Sequence, residues 1–86
     1  MINQNIKVRH LYKMDNGGQL KAFADIVIED TFLIKGLRII DGKNGLFVGM
    51  PRKQGKDGQW YQTVLPLNKE IKQQVNEIVL QAYEKQ

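Results

Sequence analysis

The sequence predicts an α+β domain, in which a five-stranded antiparallel sheet is followed by one C-terminal amphipathic helix. Apolar and polar residues alternate from position 6 to position 28 on both sides of a turn signal, as they do in paired strands. After position 68 the apolar residues recur at helical spacing instead. The length of 86 residues is enough for one domain, which takes in residues 1–86.

The first two predicted strands form a hairpin. They cover residues 6–14 and 20–28, and each places apolar residues at every second position. The tetrapeptide Asp15-Asn16-Gly17-Gly18 between them is a strong turn signal, because Asn and Gly tolerate positive φ. The apolar faces are Ile6, Val8, His10, Tyr12 and Met14 in the first strand and Leu20, Ala22, Ala24, Ile26 and Ile28 in the second.

Three further strands are predicted at residues 31–40, 46–50 and 59–65. The first of these is apolar on both faces, which indicates a strand covered on both sides. Gly36 in its middle indicates a bulge or the close approach of another backbone. Turns are expected at residues 29–30 and 41–45, and Pro51 ends the fourth strand.

One helix is predicted from Asn68, a favourable N-cap, to about Glu84. Its apolar stripe comprises Ile71, Val75, Ile78, Val79 and Ala82. A single helix covers one face of the sheet, so the remaining apolar positions, such as Phe23 and Val27, need another cover. A chain this short without cysteine gains stability most readily by association, and we therefore expect a homodimer.

The composition argues against an enzyme. The chain has no serine, no cysteine, neither standard glycine-rich phosphate loop, and one histidine, His10, which the strand pattern explains. Asp41 and Asp57 are better explained as turn residues than as metal ligands. The N-terminus lacks a secretory signal, and no apolar run approaches the roughly 20 residues of a membrane span. We expect a cytoplasmic protein with no cofactor, metal, membrane contact or small-molecule substrate.

The positive charge is concentrated in one central segment. Residues 35–56 contain six basic residues and one acid, a net charge of +5, whereas the other 64 residues carry seven basic and eight acidic residues. Such a concentrated charge favours a polyanion such as DNA or RNA. The six basic residues are Lys35, Arg38, Lys43, Arg52, Lys53 and Lys56.

The candidate contacts lie in a predicted basic loop that reads RKQGKDG from position 52 to position 58. We expect Arg52 and Gln54 to contribute base specificity. Lys53 and Lys56 are expected to attract phosphates, and Lys43 to extend the patch. The alternative is a solvated loop whose cations serve solubility.

Two aromatic residues, Trp60 and Tyr61, follow the basic segment. Exposed aromatic rings beside cations can stack on unpaired bases, whereas buried ones would pack against the sheet. Strand alternation puts the two side chains on opposite faces, so at most one is expected to be free.

The segment from Ile40 to Pro51 resembles the family of stage V sporulation protein G (SpoVG), small bacterial regulators. It reads IDGKNGLFVGMP, and the family pattern is close to V-I-D-G-x-N-G-L-F-V-x-M-P, followed by a basic loop with D-G. Asp57-Gly58 matches that D-G pair. The family's H-P-I is similar to Leu65-Pro66-Leu67, and the end of its final helix to residues 79–83. The resemblance covers about residues 6 to 84.

The resemblance implies a dimeric, site-preferring DNA- and RNA-binding protein that modulates gene expression and, in sporulating bacteria, negatively controls asymmetric septation. The family's contacts are attributed to the basic loop, which corresponds by position to Arg52, Lys53 and Lys56. The family's loop S-K-R-T-P-D-G reads RKQGKDG here. We expect the loop to keep its net charge but to be less stiff, and the protein to prefer a different nucleic-acid sequence from other members. The alternative, in another class, is a protein-interaction module of the division or sporulation machinery.

Overall fold

The computed structural model describes residues 5–14 and 17–85, and it has two antiparallel sheets and one helix. Strands β1 to β4 form a four-stranded sheet in sequential order, whereas β5 and β6 form a separate two-stranded ribbon. The elements are β1 (Ile6–Lys13), β2 (Leu20–Ile28), β3 (Phe32–Gly42), β4 (Gly45–Gly49), β5 (Arg52–Gln54), β6 (Trp60–Gln62) and α1 (Lys69–Lys85). The α+β class and the C-terminal helix are confirmed, and the single five-stranded sheet is wrong.

The difference arises after Pro51. Because Pro51 lacks an N–H donor, it cannot continue the ladder from β4, and the residues that follow pair with the returning chain instead. Residues 52–54, predicted as loop, are therefore a strand, and the predicted strand 59–65 shortens to residues 60–62. The backbone N–H of Thr63 donates to the Pro51 carbonyl at 2.9 Å and closes the base of the ribbon.

A β-bulge changes which residues of β1 face the core. Arg9 is an extra residue relative to β2, because the pairing shifts between positions 8 and 10. Beyond the bulge the faces exchange, so Leu11 packs against the core while His10 and Tyr12 are exposed. The predicted apolar face is therefore correct only as far as Val8. The predicted turn that follows β1 includes residues 15 and 16, which lie outside the described residues.

A second bulge in β3 confirms the prediction for Gly36. Between positions 34 and 37, β3 has one residue more than the opposing part of β2. Gly36 adopts φ +91°, a conformation that glycine reaches without strain. Its N–H donates to the Asp25 Oδ1 at 3.2 Å, while Asp25 Oδ2 lies 3.3 Å from the Nδ1 of His10. The buried carboxylate of Asp25 thus supplies the acceptor that the interrupted ladder does not.

The core lies between the four-stranded sheet and α1. The N–H of Ile71 donates to Asn68 Oδ1 at 2.9 Å, which confirms the predicted N-cap. Val75 and Val79 are the buried residues of the helix, and both belong to the predicted stripe. The buried apolar cluster consists of Ile6, Ala22, Ala24, Ile26, Leu37, Ile39, Val48, Met50, Val75 and Val79.

The face of the four-stranded sheet that points away from α1, called here the outer face, leaves large apolar side chains exposed. Cross-strand pairing puts Tyr12, Phe23 and Arg38 in one row of this face. Tyr12, Leu33 and Phe47 are about half exposed, and no other element covers them within residues 5–14 and 17–85. Within the described chain the outer side of β3 is thus open, and its cover by a homodimer stays a prediction.

Candidate nucleic-acid interface

The ribbon of β5 and β6 holds three of the five predicted contact residues, and every residue of its two strands is exposed. Arg52 pairs with Gln62, Lys53 with Tyr61, and Gln54 with Trp60. Because residues opposite each other share a face, the ribbon has two distinct surfaces. The Arg52 face comprises Arg52, Gln54, Trp60 and Gln62, and the Lys53 face comprises Lys53 and Tyr61.

The turn between the strands is closed by hydrogen bonds. The N–H of Gly55 donates to the Gln59 carbonyl at 2.7 Å, and the N–H of Gly58 donates to the Gly55 carbonyl at 3.0 Å. The side-chain amide of Gln54 donates one N–H to the Gly58 carbonyl at 3.0 Å, so this predicted base-reading group is partly engaged and keeps its second N–H and its oxygen for a ligand. The predicted basic loop is therefore a hydrogen-bonded hairpin, with Lys56 in its turn.

The acid of the turn, Asp57, is held by the ribbon itself. Its Oδ1 accepts the N–H of Gln59 at 3.0 Å, and its Oδ2 accepts the hydroxyl of Tyr61. The bond from Tyr61, followed by that from Gln59, lowers the pKa of the Asp57 carboxyl below its usual value. The same bond raises the pKa of the Tyr61 hydroxyl. Asp57 therefore adds a negative charge beside the Lys53 face at neutral pH, whereas the Arg52 face contains no acid.

Trp60 and Arg52 contact each other on the Arg52 face. The guanidinium carbon of Arg52 lies 4.7 Å from the centre of the Trp60 ring, which is a cation–π distance. Trp60 is still 54 % exposed, and Tyr61 on the other face is 50 % exposed. The prediction of opposite faces is confirmed, and the expectation that at most one of the two rings is free of the core is wrong.

Arg38 connects the sheet to the ribbon. Its guanidinium donates to the Met50 carbonyl at 3.2 Å, next to the proline that separates the two sheets. Burial, and then the positive charge of Arg52, lower the pKa of Arg38. Arg38 was only one member of the cationic segment in the sequence. No local signal could have identified it, because its surroundings depend on pairing with β4, where a Cβ at position 49 would lie 2.6 Å from the Arg38 guanidinium.

The cations of the hairpin are not neutralised by partners. Among the described residues, Arg52, Lys53 and Lys56 form no ion pair with a carboxylate. Lys43 is separate from them, because it lies in the β3–β4 turn, at the end of β4 that is remote from the ribbon. There it borders an open cleft together with Lys21. The structure thus brings Arg52, Lys53, Gln54 and Lys56 together and leaves Lys43 apart.

The described part of the chain lacks two features, a metal-binding cluster and a membrane-spanning helix. It contains no group of three or more histidine, aspartate or glutamate side chains with the geometry of a metal site. Its helix lacks the length and apolar character that would let it cross a membrane.

Comparison with known proteins identifies the family. The SpoVG family model matches residues 1–85. A protein of Listeria monocytogenes serotype 4b named "Putative septation protein SpoVG 2" is 37% identical over 75 residues, which cover 87% of this chain and 74% of that protein. Two further relatives, from Archaeoglobus fulgidus and Staphylococcus aureus strain JH9, are each named "Putative septation protein SpoVG". The first is 34% identical over 88% of this chain and 89% of its own length. The second is 35% identical over 86% of this chain and 74% of its own length. The resemblance of the segment around Ile40–Pro51 is therefore confirmed, and the chain belongs to the SpoVG family.

Proposed function

We propose that this protein is a dimeric nucleic-acid-binding regulator of gene expression that acts in the cytoplasm without enzymatic activity or a cofactor. The exposed hairpin formed by the ribbon of β5 and β6 and its turn is the main support. Arg52, Lys53 and Lys56 are available there and have no carboxylate ion-pair partner among the described residues. DNA and RNA both present a regular array of phosphates that such cations attract. The names of the relatives support a link to septation.

The proposed contacts differ in chemistry along the hairpin. Lys53 and Lys56 act as point charges on phosphates, and removal of either should reduce the slope of log K against log salt by about 0.9 on duplex DNA. Arg52 presents a planar set of donors that suits phosphate or the edge of guanine. Gln54 contributes its side-chain oxygen and its second amide N–H, since its first N–H is engaged by Gly58.

The outer face supports the homodimer. Tyr12, Leu33 and Phe47 expose apolar surface there, and a two-fold axis would bury the same surface on both copies. A Leu33→Glu substitution should shift the protein toward monomers in sedimentation velocity. Leu67→Glu is the control, because Leu67 is 95% exposed and lies outside the sheet. A dimer unaffected by Leu33→Glu would show that another surface is used.

Binding to nucleic acid is tested by fluorescence anisotropy with labelled duplex DNA and RNA at several salt concentrations. The hairpin variant is Arg52→Ala/Lys53→Ala/Lys56→Ala. The control is Lys69→Ala/Lys72→Ala/Lys85→Ala, which removes the same charge from exposed positions of α1. We expect the hairpin variant to lose binding and the helix variant to keep most of it. Equal losses of binding in the two variants would show that the site is not the hairpin. No binding by the wild type at low salt would refute the function.

The alternative is a protein-interaction module of the division or sporulation machinery, with the hairpin as a solvated rim. The exposed apolar side chains of the outer face favour it, because such surface is typical of protein contacts. A protein partner retained at high salt, together with no binding of any nucleic acid, would favour this alternative.

A further inference from the structure

The Arg52 face of the ribbon has the properties of a stacking surface. It combines a half-exposed indole, a guanidinium 4.7 Å from the ring centre and two glutamine side chains, and it contains no acid. A carboxylate would repel phosphate, and the carboxylate of the hairpin, Asp57, is bonded to Tyr61 on the other face. The two faces are therefore unequal in their suitability for a nucleotide.

We propose that Trp60 and Arg52 form a stacking site for an unpaired base of single-stranded DNA or RNA, an inference that rests on the proposed function. The indole offers the largest aromatic surface of any side chain, and bases stack on such rings regardless of their identity. A base within a duplex is already stacked on its neighbours. The site is therefore expected to select unpaired nucleotides.

The contact with Arg52 orients both groups for this role. Arg52 lies over the Trp60 ring, and its N–H donors lie in the plane of the guanidinium. N–H donors of the guanidinium remain available for a phosphate, because Arg52 is exposed and forms no carboxylate ion pair among the described residues. The contact also restricts the indole before a ligand arrives, which lowers the entropy that ordering the ring would cost. Trp60 still exposes 54% of its surface, which leaves room for a base.

The fluorescence of Trp60 gives a direct measurement, because it is the one tryptophan of the chain. The probes are a short oligothymidylate and an abasic oligomer of the same length, which keeps the phosphates and lacks the bases. We expect saturating oligothymidylate to quench Trp60 emission strongly and the saturating abasic oligomer to change it little. Equal quenching by both probes would overturn the stacking site.

Variants give a second, independent measurement by anisotropy. Trp60→Leu should weaken oligothymidylate binding by about tenfold or more, leave binding of the abasic oligomer unchanged and keep the salt slope. Trp60→Phe should restore part of the loss, because it keeps an aromatic ring. Phe32→Leu is the control, since Phe32 is also an exposed aromatic residue, at 67%, but lies at the start of β3 and outside the outer face. Circular dichroism and chemical unfolding establish that each variant is folded.

The outcomes separate this inference from the function on which it rests. If the wild type binds nucleic acid but Trp60→Leu binds oligothymidylate equally well, the stacking site is refuted and the nucleic-acid function stands. If neither oligomer nor any duplex binds at low salt, the function is refuted and the stacking site with it.

Discussion

The four-stranded sheet with its helix and the two-stranded ribbon are stabilised in different ways. Residues of β1 to β4 and α1, together with Met50 beside them, form the buried apolar cluster, whereas β5 and β6 contribute none. The ribbon relies instead on polar contacts, such as those between Gln54 and Gly58 and between Tyr61 and Asp57. Isolated two-stranded hairpins are marginal in water, so the ribbon depends on its attachment to the sheet.

This difference explains why the two regions suit different tasks. A side chain that supports the core must be buried, whereas a cation that binds phosphate must stay accessible. The ribbon is free of the first requirement, and so it can expose Arg52, Lys53 and Trp60 together. The sheet supplies the fixed base, through the bond from Arg38 to the Met50 carbonyl.

Leu37→Ala should have the largest effect on the free energy of unfolding. Leu37 is fully buried, so its truncation should cost about 2–5 kcal/mol in chemical denaturation. Leu67→Ala is the control, because Leu67 is 95% exposed and should change stability by less than about 0.5 kcal/mol. Similar losses for both variants would contradict the assignment of the core.

Asp25→Ala should have the next largest effect, because Asp25 is buried and accepts the N–H of Gly36 at the second bulge. Its removal leaves that N–H without its acceptor and should cost about 1–3 kcal/mol. Asp25→Asn keeps an oxygen acceptor and should cost less. Equal losses in chemical denaturation would show that the hydrogen bond to Gly36 contributes little.

Elements set by local signals could be predicted from the sequence. The bounds of β2 agree with the apolar alternation of residues 20–28, and the helix begins next to its predicted N-cap, Asn68. The bulge at Arg9 could not be predicted, because alternation does not reveal an extra residue whose effect depends on pairing with β2. The sequence therefore placed His10 on the core side of β1, where the structure has Leu11.

The candidate site likewise combines features that the sequence predicts with features that it does not. Arg52, Lys53, Gln54 and Lys56 could be grouped from the sequence because they are neighbours in the chain. Residues 52–54 could not be recognised as a strand, because a strand exposed on both faces lacks apolar alternation.

Contacts between distant parts of the chain were also missed. The link from Arg38 to the Met50 carbonyl depends on pairing between β3 and β4. The separation of Lys43 from the ribbon likewise follows from the direction of β4.

Gly49→Ala tests the attachment of the ribbon and should cost about 1 kcal/mol, the net value of one hydrogen bond. A Cβ at position 49 would lie 2.6 Å from the Arg38 guanidinium, which must then move away from the Met50 carbonyl. In an Arg38→Ala background the same substitution should cost less, because nothing remains to be displaced. Additive losses in a double-mutant cycle would show that residues 38 and 49 are independent.

Tyr61→Phe should have the smallest effect on unfolding and a clear effect on one titration. The Tyr61 hydroxyl is the main reason for the lowered pKa of Asp57, so its removal should raise that pKa toward the usual aspartate value in a carboxyl-carbon NMR titration. Tyr12→Phe is the control, because Tyr12 lies on β1. An unchanged titration of Asp57 in Tyr61→Phe would show that the hydroxyl does not hold the carboxylate in solution.

The sign of the pH dependence follows from the direction of the shift. A lowered folded-state pKa stabilises the ribbon above the unfolded pKa of Asp57, and this contribution is lost as the pH falls through the folded value. The raised pKa of Tyr61 has the opposite sense, so its contribution is present below the unfolded pKa of tyrosine and is lost at alkaline pH. Acid should therefore change Trp60 emission in the wild type more than in Tyr61→Phe. The pair adds little to the stability of the core, because both side chains are exposed and screened by solvent.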